Sequence, residues 1–326
     1  MRKAAFGWAV LLVVVVVTSV TATAYYLEPS TADRVIVSTT TSLYDTGLLD
    51  AIEATFEAKN PIDLNFISVG TGIAIQHARR GDADLILVHS PRDELGFLKD
   101  GTGLNRKIIA YNFFAIVGPE DDPAKIRSML PAEALTKIVE TGRNGTETLW
   151  VSRGDNSGTH SKETSLWTAA GFDSATLTQE GWFASAGSGM GETLKKADYF
   201  GAYTLADMGT YMKYVKDDLI SSVTLVGQAE DLLNVYSAVV VNQTLHPRVN
   251  FDGALSFVKF LVSDEGQQMI EQFGRATYGQ SLFHPAVGLL KTNADPPLAQ
   301  MIRDYAFFNS TECPPEYRRG YPELYD

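Results

Sequence analysis

Three times along this chain a strand-like run ends in small hydroxyl or glycine residues and passes at once into helical spacing. Residues 35–39 are largely apolar and β-branched, Thr40-Thr41-Ser42 follows, and Leu43, Leu48, Leu49, Ile52 and Phe56 then recur at helical intervals. Residues 63–69 alternate like a strand, Gly70-Thr71-Gly72 turns, and 73–80 are helical in spacing. Residues 149–152 lead into Arg153-Gly154-Asp155-Asn156-Ser157-Gly158-Thr159, after which 160–170 read as a helix. This repeated strand–turn–helix order predicts α/β architecture, with the turns gathered at the strand ends of a sheet.

Any one of these turns is explained by helix capping, in which a single Ser or Thr oxygen accepts an N–H of the first turn. Thr39, Thr40 and Thr41 ahead of Ser42 exceed that need. The 152–159 segment adds a planar, permanently charged guanidinium at Arg153 and two glycines that admit close backbone approach. Helix starts present unpaired N–H groups and a partial positive charge, so the three turns together point to one shared anion pocket.

Taken as a set, Ser38-Thr39-Thr40-Thr41-Ser42, Gly70-Thr71-Gly72-Ile73-Ala74, Gly81-Asp82-Ala83-Asp84, Tyr111-Asn112-Phe113, the 152–159 segment with Glu163 and Trp167, and Gly189-Met190-Gly191 resemble the tungstate-binding proteins of ABC transporters. The resemblance runs from about Val35 to about Phe273; several of the motifs are shared singly with phosphate and molybdate binders. It implies a two-lobed periplasmic-binding-protein type II fold with two hinge crossovers, which we place near residues 112–117 and 235–241. Lobe one is then 34–112 with 241–309, lobe two is 113–240, and 310–326 is a C-terminal tail rich in Pro and Tyr, either strapped to the surface or mobile.

In that frame Thr40, Thr41, Ser42 and Thr71 belong to lobe one, Arg153, Ser157, Gly158 and Thr159 to lobe two, and the oxyanion bridges them. A ligand held from both sides favours the closed form. Met190 is a candidate through its backbone N–H, and Tyr203 occupies the place where related molybdate binders carry a hydroxyl donor. Asp155 has two readings. It holds Arg153 in place, or it accepts the proton of a hydrogen phosphate; tungstate, molybdate and sulfate carry no such proton near neutral pH. Ligand preference between tungstate and molybdate rests on cleft dimensions and donor geometry. A phosphate- or sulfate-binding protein remains the nearest alternative.

Composition and charge agree. At 326 residues the length suits about two domains. A net charge of -12 argues against nucleic acid as partner and requires that an anion site rely on short-range donors in a dehydrated cleft. Arg2 and Lys3 precede an apolar run over 4–20, and Ala22-Thr23-Ala24 offers a cleavage site, so residues 1–33 read as an export signal or membrane anchor plus linker. The expected product is an extracytoplasmic monomer whose partner is the transporter permease, with no cofactor and no metal site, since His77, His89, His160, His246 and His284 are scattered and Cys313 stands alone. Trp167 and Phe172 read as core. The chain is not expected to be an enzyme: Ser157, His160 and Asp155 are crowded on one turn, and no nucleophile elbow, zinc helix or phosphate-binding loop occurs. A hydrolase and a sensor ectodomain are the rival classes.

Overall fold

The computed structural model describes residues 33–145 and 147–325. Among the described residues ten strands carry the architecture: β1 (Asp33–Thr40), β2 (Ile62–Val69), β3 (Leu85–Val88), β4 (Gly103–Gly118), β5 (Trp150–Ser152), β6 (Phe183–Ser185), β7 (Thr204–Asp207), β8 (Val223–Val226), β9 (Leu233–Val241) and β10 (His284–Pro285). In lobe one they lie in the order β2-β1-β3-β9-β4-β10; β1 is parallel to β2 and β3, and β9 is antiparallel to both β3 and β4. Every residue of β3 is buried because helices cover both faces. Leu85 and Leu87 join Phe56, Leu255 and Phe257 on one side, while Ile86 and Val88 join Ala74, Ala78 and Phe97 on the other.

β4 is long enough to serve both lobes. Its pairing with β9 ends at Phe113 opposite Leu233, and from Phe114, opposite Asp207, it pairs with β7 and β8 instead. A bridge between Trp150 and Tyr203 adds the β5–β6 pair to that second sheet. The core of lobe two gathers Phe114, Ile116, Leu135, Ile138, Trp150, Trp167 and Tyr203.

The return crossing differs from expectation. β8 closes lobe two at Val226 and β9 pairs with lobe-one strands from its first residue, so the chain crosses between Val226 and Leu233, and residues 233–240 belong to lobe one. An apolar run such as 235–241 fits the centre of either sheet, and periodicity does not say which. Two other elements depart in instructive ways. The expected helical stretch from Leu43 to Phe56 is broken by Gly47 at φ 83. The sequence of 253–273 also reads as one helical stretch, but it divides at Ser263, whose hydroxyl accepts the Gly266 N–H at 3.2 Å and starts a second helix.

The tail is a strap on lobe one. Glu312 takes Lys107 Nζ at 2.5 Å and the Ile108 N–H at 3.0 Å, Asn105 exchanges hydrogen bonds with Arg319, and Leu324 enters the core. Cys313 is buried beneath it, where burial raises the thiol pKa. The expected export or anchor segment lies outside the described residues. Among the described residues no helix is long and apolar enough to cross a membrane.

Candidate anion-binding site

Four helices begin where the lobes face one another. Thr40 at the end of β1 caps Thr41–Tyr44, Gly70 after β2 caps Thr71–Arg80, Ser157 caps Gly158–Ala169, and Gly189 caps Met190–Phe200. Only Ser157 caps with its side chain, its Oγ accepting the His160 N–H at 3.2 Å. The remaining first-turn N–H groups have no intrahelical acceptor and carry the positive end of each helix dipole.

The starts are close enough to share one small ligand. A Cβ added to Gly70 would lie 3.4 Å from Cα and Cβ of Ser157. One on Gly158 would come within 2.9 Å of Thr71 Oγ1 and 2.8 Å of the His89 ring, so glycine is required there. Thr71 and Thr159 are fully buried, and neither hydroxyl has a hydrogen-bond partner. An unpartnered buried hydroxyl costs about 1 to 3 kcal/mol, and two at one junction mark a place built for something that accepts from them.

Arg153 spans the cleft. Its Nη2 donates to Thr41 Oγ1 of lobe one at 2.9 Å, while Nε donates to Asp155 Oδ2 at 3.0 Å and to the Ser188 carbonyl at 2.9 Å. The other Asp155 oxygen accepts the Ser157 N–H at 3.0 Å, so both carboxylate oxygens serve the turn itself. Behind it Glu163 accepts from the Arg153 N–H at 3.1 Å and from the indoles of Trp150 and Trp167 at 3.0 and 3.3 Å. Burial lowers the Arg153 pKa and the neighbouring Asp155 opposes that shift, which leaves the guanidinium charged.

The site residues expected from sequence fall into two groups. Thr40, Thr41, Ser42, Thr71, Arg153, Ser157, Gly158 and Thr159 lie at this junction, with Thr40 Oγ1 3.3 Å from Ser42 Oγ. Met190 reaches it only as the first residue of its helix, because its side chain lies in a lobe-two cluster with Ala115, Val117 and Leu194. Tyr203 is a correction: its O–H donates to Asp122 Oδ1 at 2.7 Å and accepts the Ala124 N–H at 2.9 Å, inside the lobe-two core. Tyr203→Phe is therefore expected to cost about 1 to 2 kcal/mol of stability in urea unfolding and to leave anion affinity unchanged.

His89 was missed. It follows β3 and precedes the helix Pro91–Lys99, which makes it part of a further strand-to-helix turn whose glycines and hydroxyls are too few to stand out. The ring is buried, with Nε2 3.5 Å from Ser42 Oγ and Nδ1 2.8 Å from Asn234 Oδ1. Asn234 in turn donates to Asn112 Oδ1, Asp207 Oδ2 and Tyr236 Oη at 2.9, 3.1 and 2.9 Å. Asp207 also accepts from Asn112 at 3.0 Å, Tyr236 at 2.6 Å and the Thr210 N–H at 3.1 Å, which fastens lobe two to both lobe-one strands at the hinge. Burial raises the Asp207 pKa and its donors pull it back.

The junction presents N–H, hydroxyl and guanidinium donors, the groups from which an oxyanion accepts. Among the described residues no group of three or more His, Cys, Asp or Glu is placed to hold a metal ion. A groove of about 730 Å³, lined in part by Gly72, Arg79, Arg92, Asn156, Ser157 and His160, runs alongside the junction.

The model of the PBP superfamily domain matches residues 27–265. The tungstate-binding protein TupA of Peptoclostridium acidaminophilum is 41% identical over 255 residues, covering 77% of this chain and 85% of that protein. TupA of Campylobacter jejuni is 33% identical over 231 residues, 70% of this chain and 83% of that one. The solved tungstate-binding protein TupA from Desulfovibrio alaskensis G20 superposes with a TM-score of 0.66 at 38% identity, over 78% of this chain and 99% of its own. With this fold, this junction and these likenesses, the chain belongs to the PBP superfamily and, within it, to the TupA family of tungstate-binding proteins.

Proposed function

We propose that this protein captures tungstate, and molybdate with it, between its lobes and delivers it to an ABC transporter. The observation that carries the reading is the pair of buried, unpartnered hydroxyls of Thr71 and Thr159, placed at the meeting of helix starts beside Arg153. Donors come from both lobes, so one anion ties them together and selects the closed form for the permease. Asp155 holds the arginine. Both of its oxygens already accept hydrogen bonds within the turn, which favours this holding role over contact with a hydrogen phosphate.

The protein binds rather than catalyses. Ser157 Oγ accepts the His160 N–H, and His160 Nδ1 accepts the Asn156 N–H at 3.0 Å, so the imidazole is turned to a turn-capping task and not to the serine hydroxyl. We read it as an extracytoplasmic monomer with the permease as its macromolecular partner and no nucleic acid.

Calorimetry with tungstate, molybdate, sulfate and phosphate tests this reading. Tungstate and molybdate are expected to bind at least a hundredfold more tightly than the other two, a gap of about 2.7 kcal/mol. Preferential phosphate binding would overturn the assignment and promote Asp155 to a ligand contact.

A further inference from the structure

We infer that His89 contacts the captured anion and takes up one proton at Nε2 as the anion binds. The inference rests on the oxyanion reading of the site and adds a proton to it.

The tautomer follows from the hinge network. The Asn234 amide nitrogen faces three acceptors, Asn112 Oδ1, Asp207 Oδ2 and Tyr236 Oη, which leaves its oxygen toward His89 at 2.8 Å. Nδ1 must then be the donor, and in the neutral ring Nε2 carries a lone pair. That lone pair lies on the anion side: Nε2 is 3.5 Å from Ser42 Oγ and 2.8 Å from where a Gly158 Cβ would stand, beside Thr71 Oγ1. A neutral His89 thus presents an acceptor to an acceptor-only ligand. It also draws on the Ser42 hydroxyl, whose proton is otherwise available to the anion.

The charges around the ring decide its state in each form. Arg153 and Lys162 are the cations that act on it, Tyr236 stacks on it at 4.9 Å, and Asp207 stands one residue away, behind Asn234 and Tyr236. Burial, opposed by the Asn234 hydrogen bond and aided by the two cations, pushes the imidazole down to about 4, so without the anion it is neutral near pH 7. A dianion in contact supplies two negative charges in a low-dielectric site and favours the imidazolium strongly. The proton comes from solvent, Nε2–H becomes a donor, and Ser42 is released to donate as well.

The test is calorimetric titration of tungstate at pH 7.5 in Tris and in Hepes, whose ionisation enthalpies differ. The expected result is close to one proton taken up per anion, with affinity falling about tenfold per pH unit from pH 7 to 8. In His89→Gln the uptake is expected to vanish and the pH dependence to flatten. Nitrogen-15 spectra of the intact protein give a readout that does not depend on the variant's folding: His89 Nε2 should move from the unprotonated to the protonated shift on adding tungstate. Tungstate binding with no proton uptake, an unmoved Nε2 resonance, or undiminished uptake in a folded His89→Gln would each overturn the inference while leaving the ligand reading intact. If tungstate gave no heat, the ligand reading would fail instead, and the same buffer comparison with molybdate or sulfate would decide the proton.

Discussion

Arg153→Ala is expected to weaken tungstate binding by about 2 to 5 kcal/mol, the range for removing one partner of a buried, hydrogen-bonded charge pair. Arg153 is 2% exposed and its guanidinium is braced by Asp155, the Ser188 carbonyl and Thr41, so it is oriented before any ligand arrives. The loss has two parts: the charge itself, and the lobe-to-lobe hydrogen bond to Thr41 that favours closure. Arg153→Lys should recover only a fraction, since a single ammonium cannot serve Asp155, Ser188 and Thr41 in the planar geometry the fork provides. Calorimetry measures both variants, with circular dichroism as the check on folding. Unchanged affinity in a folded Arg153→Ala would remove this residue from the site.

The largest expected effect on stability lies at the hinge. Asp207→Ala strips the acceptor from Asn112, Asn234, Tyr236 and the Thr210 N–H at once, all in a buried setting. Donors left without acceptors are expected to cost about 3 to 5 kcal/mol, visible as a lower urea midpoint and melting temperature. Asp207→Asn is expected to rescue little, because an amide nitrogen would then confront groups that are themselves donors. An unaltered melting curve for Asp207→Ala would mean that this network does not hold the lobes in register.

Much of the candidate site is legible because its elements are local in sequence. Thr40, Thr41 and Ser42 occupy one turn, Arg153, Asp155, Ser157 and Thr159 another, and each turn states its chemistry by itself. What escaped depends on distant pairs. His89 and Asn234 lie 145 residues apart, and Asn234 and Asn112 lie 122 apart, so no spacing rule connects them. Tyr203 failed for a subtler reason: it stands one residue before β7, bridged to Trp150, and only such pairing tells which face a side chain takes. That pairing puts Tyr203 toward Asp122 and Ala124. The return crossover was misplaced on the same ground. An apolar run such as β9 announces burial on both faces without announcing which sheet it enters.

The central claim is that one oxyanion is held between the lobes by the Thr71, Gly158–Thr159 and Arg153 groups. A crystal structure of the full folded protein grown with tungstate, with data collected at the tungsten absorption edge, tests it most directly. The account predicts one strong anomalous peak at this junction, with oxygens within about 2.7 to 3.2 Å of Thr71 Oγ1, the Thr159 N–H and the Arg153 guanidinium. A peak confined to one lobe, or lying in the groove by Arg79 and Arg92 away from Thr71, would contradict it.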